Sequence, residues 1–156
     1  MQPYNNYKLE VNFEIPTGWV LMDNEEAMVT ELGISADEAV PTAFVAVNTA
    51  AKAKDVQYLT CTHDMAIYAT EEDYLNGLKS NLQELAKAGA KISAPETMKS
   101  PNGIRVDKVV ATVSGLTMVQ YYFHINELLV CMSANVSKAG DDLDKVANGI
   151  VLSAKM

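Results

Sequence analysis

The sequence predicts one mixed α/β domain in which an antiparallel β-meander packs against a single long amphipathic helix. Three observations carry this. Residues 70–89, TEEDYLNGLKSNLQELAKAG, keep one period, with Tyr74, Leu75, Leu78, Leu82, Leu85 and Ala86 recurring at three- and four-residue steps along a helical stripe. Four strand-like segments follow, 91–100, 104–113, 116–125 and 128–136, separated by Asn102-Gly103, Ser114-Gly115 and Asn126-Glu127. A chain of 156 residues, 49% apolar and 21% charged, has the size and composition of one globular domain.

The helix is marked at both ends. Thr70 with Asp73 resembles a capping box, Glu71 and Glu72 complement the positive end of the helix dipole, and Gly89 suits a left-handed stop. Burying its four leucines would contribute roughly 1.5–3 kcal/mol each, which would make the helix a large part of the core.

Before the helix, Tyr7 to Ile15 alternates, with Tyr7, Leu9, Val11, Phe13 and Ile15 on one face. This predicts a half-buried strand preceded by a disordered tail over 1–6. Pro16-Thr17-Gly18 turns it into a return strand, Trp19 to Met22, closing a hairpin. Asp23 or Asn24 can cap a short helix to about Leu32, which Gly33 ends, and residues 34–42 are too mixed to assign. Phe44 to Val47 reads as a buried strand, and Asn48 to Asp55 as a polar connector. Val56 to Ile67 reads as a central strand, with Leu59, Cys61, Met65 and Ile67 on one face and Val56, Tyr58, Thr60 and Thr62 on the other.

Register can be argued in the meander. A two-residue Asn126-Glu127 turn sets Ile125 against Leu128, Phe123 against Val130, Tyr121 against Met132 and Val119 against Ala134, leaving His124, Tyr122, Cys131 and Ser133 on the opposite face. The preceding hairpin calls for a three-residue loop, Ser114 to Leu116, to bring Val109, Ala111 and Val113 to the side of Val119. A slip in alternation predicts a bulge at Asp107-Lys108. A short helix over 140–148 follows, with Asp141, Asp142 and Asp144 in its first turn and Gly149 at its end, and then IVLSAK.

Twelve basic against twenty acidic side chains leave a formal charge of −8, with the basic residues scattered singly. That argues against nucleic acid and anionic lipid as partners and permits a basic one. No apolar run approaches the roughly 18 residues that span a bilayer. The start, MQPYNNYKLEV, has neither a positive nor an apolar leader region, so the chain as written reads as cytoplasmic; the cell envelope is the alternative if a leader has been removed. Cys61 and Cys131 match no metal spacing and allow either one disulfide or two free thiols.

The phrase Phe13 to Trp19, FEIPTGW, the succession of strand, long helix and meander, and the ending Ile150 to Lys155, IVLSAK, together resemble the PsbP-like fold. That fold is shared by the PsbP proteins of the photosynthetic water-oxidising complex, a nuclear release factor that binds the Ran GTPase, and bacterial DcrB-like proteins of unknown function. The resemblance implies an α/β/α sandwich with a central antiparallel sheet, and binding rather than catalysis. No segment aligns with the plant proteins' metal-binding residues or with the Ran-binding surface.

Chemistry-bearing patterns are sparse. Cys61 and His63 share a strand face, but side chains two apart stand about 7 Å from each other, too far for direct proton transfer. His63 and Asp64 point to opposite faces, the aspartates at 141, 142 and 144 lack the EF-hand pattern, and neither GxxxxGK[ST] nor GxGxxG occurs. No catalytic, cofactor-binding or metal-ligating residue is assigned, and no cofactor is expected. The residues best suited to an interface or pocket are Tyr58, His63, Tyr122 and His124, aromatic and imidazole groups on strands. The expected function is therefore that of a non-enzymatic accessory domain binding a protein or a small ligand, as a monomer or homodimer. A cytoplasmic secretion-type chaperone is the second expectation, and a Cys/His hydrolase the third.

Overall fold

A computed structural model describes residues 1–23, 41–48 and 57–156. In chain order these form β1 (Gln2–Asn6), β2 (Val11–Ile15), β3 (Trp19–Met22), β4 (Thr42–Asn48), β5 (Tyr58–His63), α1 (Glu71–Lys87), β6 (Lys91–Ile92), β7 (Glu96–Lys99), β8 (Arg105–Val113), β9 (Leu116–Ile125), β10 (Leu128–Val136) and α2 (Asp142–Leu152). The main sheet has eight strands in the order β3-β4-β5-β10-β9-β8-β6, with β7 also on β8, and its neighbours pair antiparallel. β1 and β2 make a separate two-stranded ribbon.

Asn126 and Glu127 both adopt positive φ, 50° and 62°, the geometry of a tight hairpin turn whose twist matches its strands. The turn sets Ile125 opposite Leu128 and carries the ladder unbroken to Thr117 and Val136. The β8–β9 hairpin differs from expectation. Ser114 (φ 51°) and Gly115 (φ 78°) form a two-residue turn, so Val113 faces Leu116 and Val110 faces Val119. Val109 joins Tyr122 and Leu129 on the face under α1. The three-residue loop assumed a single apolar face, whereas both faces of β8 are covered. No bulge interrupts it at Asp107-Lys108, where the register runs continuously from Val106 to Val113. The apparent slip is two consecutive charged residues facing opposite sides of the sheet.

The amino-terminal strand also differs. Gln2–Asn6, expected as a tail, is β1, and residues 7–10 are its turn to β2, with Glu10 at φ 56°. Tyr7 is therefore exposed rather than inward. Asn6 explains the turn: its carboxamide oxygen accepts from Leu9 N–H at 2.9 Å, and its Nδ2 donates to Ala43 O at 3.2 Å. β3 pairs with β4 instead of returning along β2. β5 stops at His63 because Asp64 diverts the chain, its Oδ1 accepting from Ala66 N–H at 2.8 Å. The segment 91–100 breaks into β6 and β7 around Pro95. The short helix and the connector expected over 24–33 and 49–55 lie outside the described residues.

The larger hydrophobic core lies between the sheet, the ribbon and α2. It gathers Phe13 and Ile15, Phe44, Leu59, Tyr121, Phe123 and Met132 with Leu143, Ala147, Ile150 and Val151. α2 runs past Gly149 because its apolar face continues from Leu143 and Ala147 into Ile150 and Val151. The opposite face holds a smaller cluster, in which Tyr74 and Leu78 of α1 meet Val109, Tyr122, Leu129 and Cys131. α1 has the expected caps. Thr70 Oγ1 accepts from Asp73 N–H at 3.1 Å, and Ala90 N–H reaches Leu85 O and Gly89 N–H reaches Ala86 O, each at 3.1 Å. It supplies less of the core than its four leucines led one to expect, with only Tyr74 and Leu78 buried. Leu75, Leu82 and Leu85 are half-buried and Ala86 is exposed.

Candidate functional site

Strand alternation sends Gln120 and Tyr122 of β9, Cys131 and Ser133 of β10 and Thr62 of β5 toward one face of the sheet. α1 lies along that face, with Asn81, Glu84 and Leu85 on the side nearest these strands. Between helix and strands is a cleft of about 310 Å³, with His63 and Asp64 at one end. Its lining contains no lysine or arginine.

The cleft floor is polar but tightly built. Tyr122 donates its hydroxyl to Gln120 Oε1 at 2.6 Å, leaving Gln120 Nε2 with the Met118 thioether at 3.8 Å, a weak acceptor. Gln120 is 8% exposed, so its amide is a donor ready for a stronger acceptor. Cys131 Sγ lies 3.4 Å from Ser133 Oγ. Burial pushes the Cys131 thiol up to about 11 against the easing effect of the Ser133 and Tyr122 hydrogen bonds, so it is a neutral thiol near pH 7.

Of the four aromatic and imidazole residues singled out in the sequence, Tyr122 and His63 line this cleft. His63 stands at the rim, its Nδ1 3.2 Å from Asp64 O. Tyr58 is 42% exposed at the start of β5, outside the cleft lining. His124 is under the first turns of α1: its Nε2 is 2.6 Å from Tyr68 O, and its ring stacks on Tyr74 with centroids 5.2 Å apart. That position anchors the helix.

Tyr74 in turn donates to Asp107 Oδ2 at 2.8 Å. Asp107 also accepts from Thr97 Oγ1 at 2.7 Å and from Arg105 Nε at 3.1 Å. Burial acts to raise the Asp107 carboxyl, but the hydrogen bonds from Arg105, Thr97 and Tyr74 outweigh it and hold it below its ordinary value. On the other face, Asp144 sits between Lys108 Nζ at 3.0 Å, Gly140 N–H at 2.5 Å and the Tyr121 hydroxyl.

Cys61 and Cys131 belong to neighbouring strands but face opposite sides of the sheet. Cys61 lies opposite Met132 and Cys131 opposite Thr62, so both are free thiols. Burial pushes the Cys61 thiol well up, which disfavours the thiolate a nucleophile needs. Among the described residues no three His, Cys, Asp or Glu side chains converge as a metal-ligand set, and no helix is long and apolar enough to cross a membrane.

On the outer flank of α1 a second, apolar groove of about 530 Å³ runs between Leu75, Leu78, Leu82 and Ala86 on one side and Ile92 and Pro95 on the other. Sequence reasoning named neither Gln120 nor Asn81 as a pocket residue. For Gln120 a signal existed, since it falls on the Tyr122–His124 face by simple alternation, whereas Asn81 required knowing which flank of α1 faces the strands. No protein-family model matches the chain, and no curated protein matches it in sequence.

Proposed function

We propose that the chain is a non-catalytic binding domain of the PsbP/DcrB-like kind, a three-layered α/β/α arrangement that holds a small ligand in the cleft between α1 and strands β5, β10 and β9. The observation that carries this reading is the cleft itself. Its volume falls at the small end of the range for small-molecule sites, and it combines an apolar wall with a few convergent polar groups. Its absence of cations, on a chain of charge −8, favours a neutral or cationic ligand over an anionic one. The under-satisfied Gln120 amide supplies a donor for a ligand carbonyl or hydroxyl.

The test is a fragment screen read by ¹H–¹⁵N NMR, on the full chain and on Ser133→Phe, which fills the cleft. Fragments that shift the amides of Thr62, Asn81, Gln120 and Ser133, and lose affinity in the variant, support the reading. Fragments that map elsewhere, or that bind Ser133→Phe equally well, contradict it.

A second reading, a secretion-type chaperone, is favoured by the apolar groove on the outer flank of α1. It requires a dimer or a bound polypeptide, so a monomeric mass by light scattering together with no loss of client binding in Leu82→Gln would remove it.

A further inference from the structure

We propose that the end of the molecule formed by the Tyr7–Glu10 turn, the loop 64–69 and the Asn126–Glu127 turn docks a basic polypeptide segment through Tyr7, Met65 and Ile67. These three are among the most exposed apolar side chains of the described residues, at 64%, 62% and 74%. Their loops are tied side by side. Asn126 Nδ2 donates to Leu9 O at 2.7 Å, and Tyr68 N–H donates to Glu127 O at 2.8 Å.

The presentation is built rather than incidental. Asp64 accepts from Ala66 N–H at 2.8 Å and from the Tyr68 hydroxyl at 2.6 Å, which pins the loop at both ends of the Met65–Ile67 bulge and leaves those two side chains outside. A loop already ordered gives up less entropy when a partner covers it.

Charge selects the kind of partner. The same loops and the first turn of α1 carry Glu10, Asp64, Glu71, Glu72, Asp73 and Glu127 against a single lysine, Lys8. Lys8 is itself engaged, donating to Thr42 O at 3.3 Å beside the Tyr7 ring. Arg105 reaches Glu71 at 3.6 Å but is held on Asp107. Exposed apolar side chains on loops that carry these carboxylates repel anionic lipid and nucleic acid. They complement a strand or helix whose apolar anchors are flanked by lysine and arginine.

The probe is a synthetic Lys/Leu amphipathic peptide titrated into the full chain by fluorescence anisotropy, with ¹H–¹⁵N NMR to locate it. Met65→Ser/Ile67→Ser should weaken binding about tenfold or more. Leu116→Ser should leave it unchanged, because Leu116, 68% exposed, sits at the other end of β9 beside the Ser114-Gly115 turn. Both replacements are at exposed positions, so the fold is retained and unaltered melting verifies it. Equal binding by the wild type and the double variant overturns the proposal. So do amide shifts confined to the α1 groove, or Met65- and Ile67-dependent sedimentation with phosphatidylglycerol vesicles in place of peptide binding. Ser133→Phe should not affect the peptide, which separates this surface from the cleft.

Discussion

Asp107 and Lys108, adjacent on β8, tie α1 and α2 to opposite faces of the sheet: Asp107 accepts from Tyr74 of α1 at 2.8 Å, and Lys108 reaches Asp144 of α2 at 3.0 Å. Both carboxylates are about 1% exposed. Asp107→Ala removes the shared acceptor of Tyr74, Thr97 and Arg105, and is expected to cost about 3 kcal/mol in urea unfolding. Tyr74→Phe removes one hydrogen bond and should cost about 1 kcal/mol. An Asp107→Ala protein as stable as wild type would show that this network does not hold α1.

Acid should weaken both ties. Burial acts to raise the Asp144 carboxyl, but hydrogen bonds from Tyr121, Gly140 N–H and Lys108 outweigh it and leave it below its ordinary value of 3.8, as with Asp107. A carboxylate depressed in the folded state contributes stability that is complete above the unfolded value and is lost as pH falls through the folded one. Urea midpoints should therefore be flat near neutrality from this source and decline below about pH 4. Asp144→Asn should be less stable than wild type at pH 7 and approach it at the acid end. A constant gap between the two across that range would contradict the assignment.

Gly77 of α1 packs against Tyr68 and Leu129. A Cβ there would clash with Tyr68 Cε1 and lie 3.0 Å from Leu129 Cδ1. In an exposed helix Gly→Ala gains about 1 kcal/mol, whereas overpacking costs about 1–3 kcal/mol. Gly77→Ala should therefore be neutral to destabilising by about 2 kcal/mol. In a Tyr68→Ala background the same change should stabilise, and a double-mutant cycle measures the difference.

The two thiols should behave as buried and separate. An aromatic disulfide reagent should label Cys61 only as fast as the chain opens, because burial pushes its thiol up and shields it, whereas Cys131, which lines the cleft, should react slowly from the folded state because burial keeps its thiol neutral. Two free thiols should be counted after unfolding without reductant. An intramolecular disulfide would contradict their placement on opposite sheet faces.

The meander was legible because its cue is local. Asn126-Glu127 between alternating segments dictates both turn and register, and the observed pairs are those the side-chain pattern requires. β8 was misread because periodicity alone could not distinguish a backbone bulge from two charged residues satisfied on opposite faces, which depends on Tyr74 and Asp144 arriving from distant helices. The amino-terminal ribbon was misread because Asn6 turns the chain through Ala43, a contact no local pattern encodes. In the cleft, Tyr122 and the strand face were readable by alternation. The helix wall was not, since the α1 stripe is apolar nearly all the way round its inner half and does not reveal which flank it presents.

The most direct test of the binding account is native mass spectrometry of the chain isolated from its own cells, beside Ser133→Phe and Asn81→Trp produced in the same way. The account predicts a small-molecule adduct on the wild type that both cleft-filling variants lose while keeping their folded charge-state distribution. Identical spectra for all three proteins would contradict it.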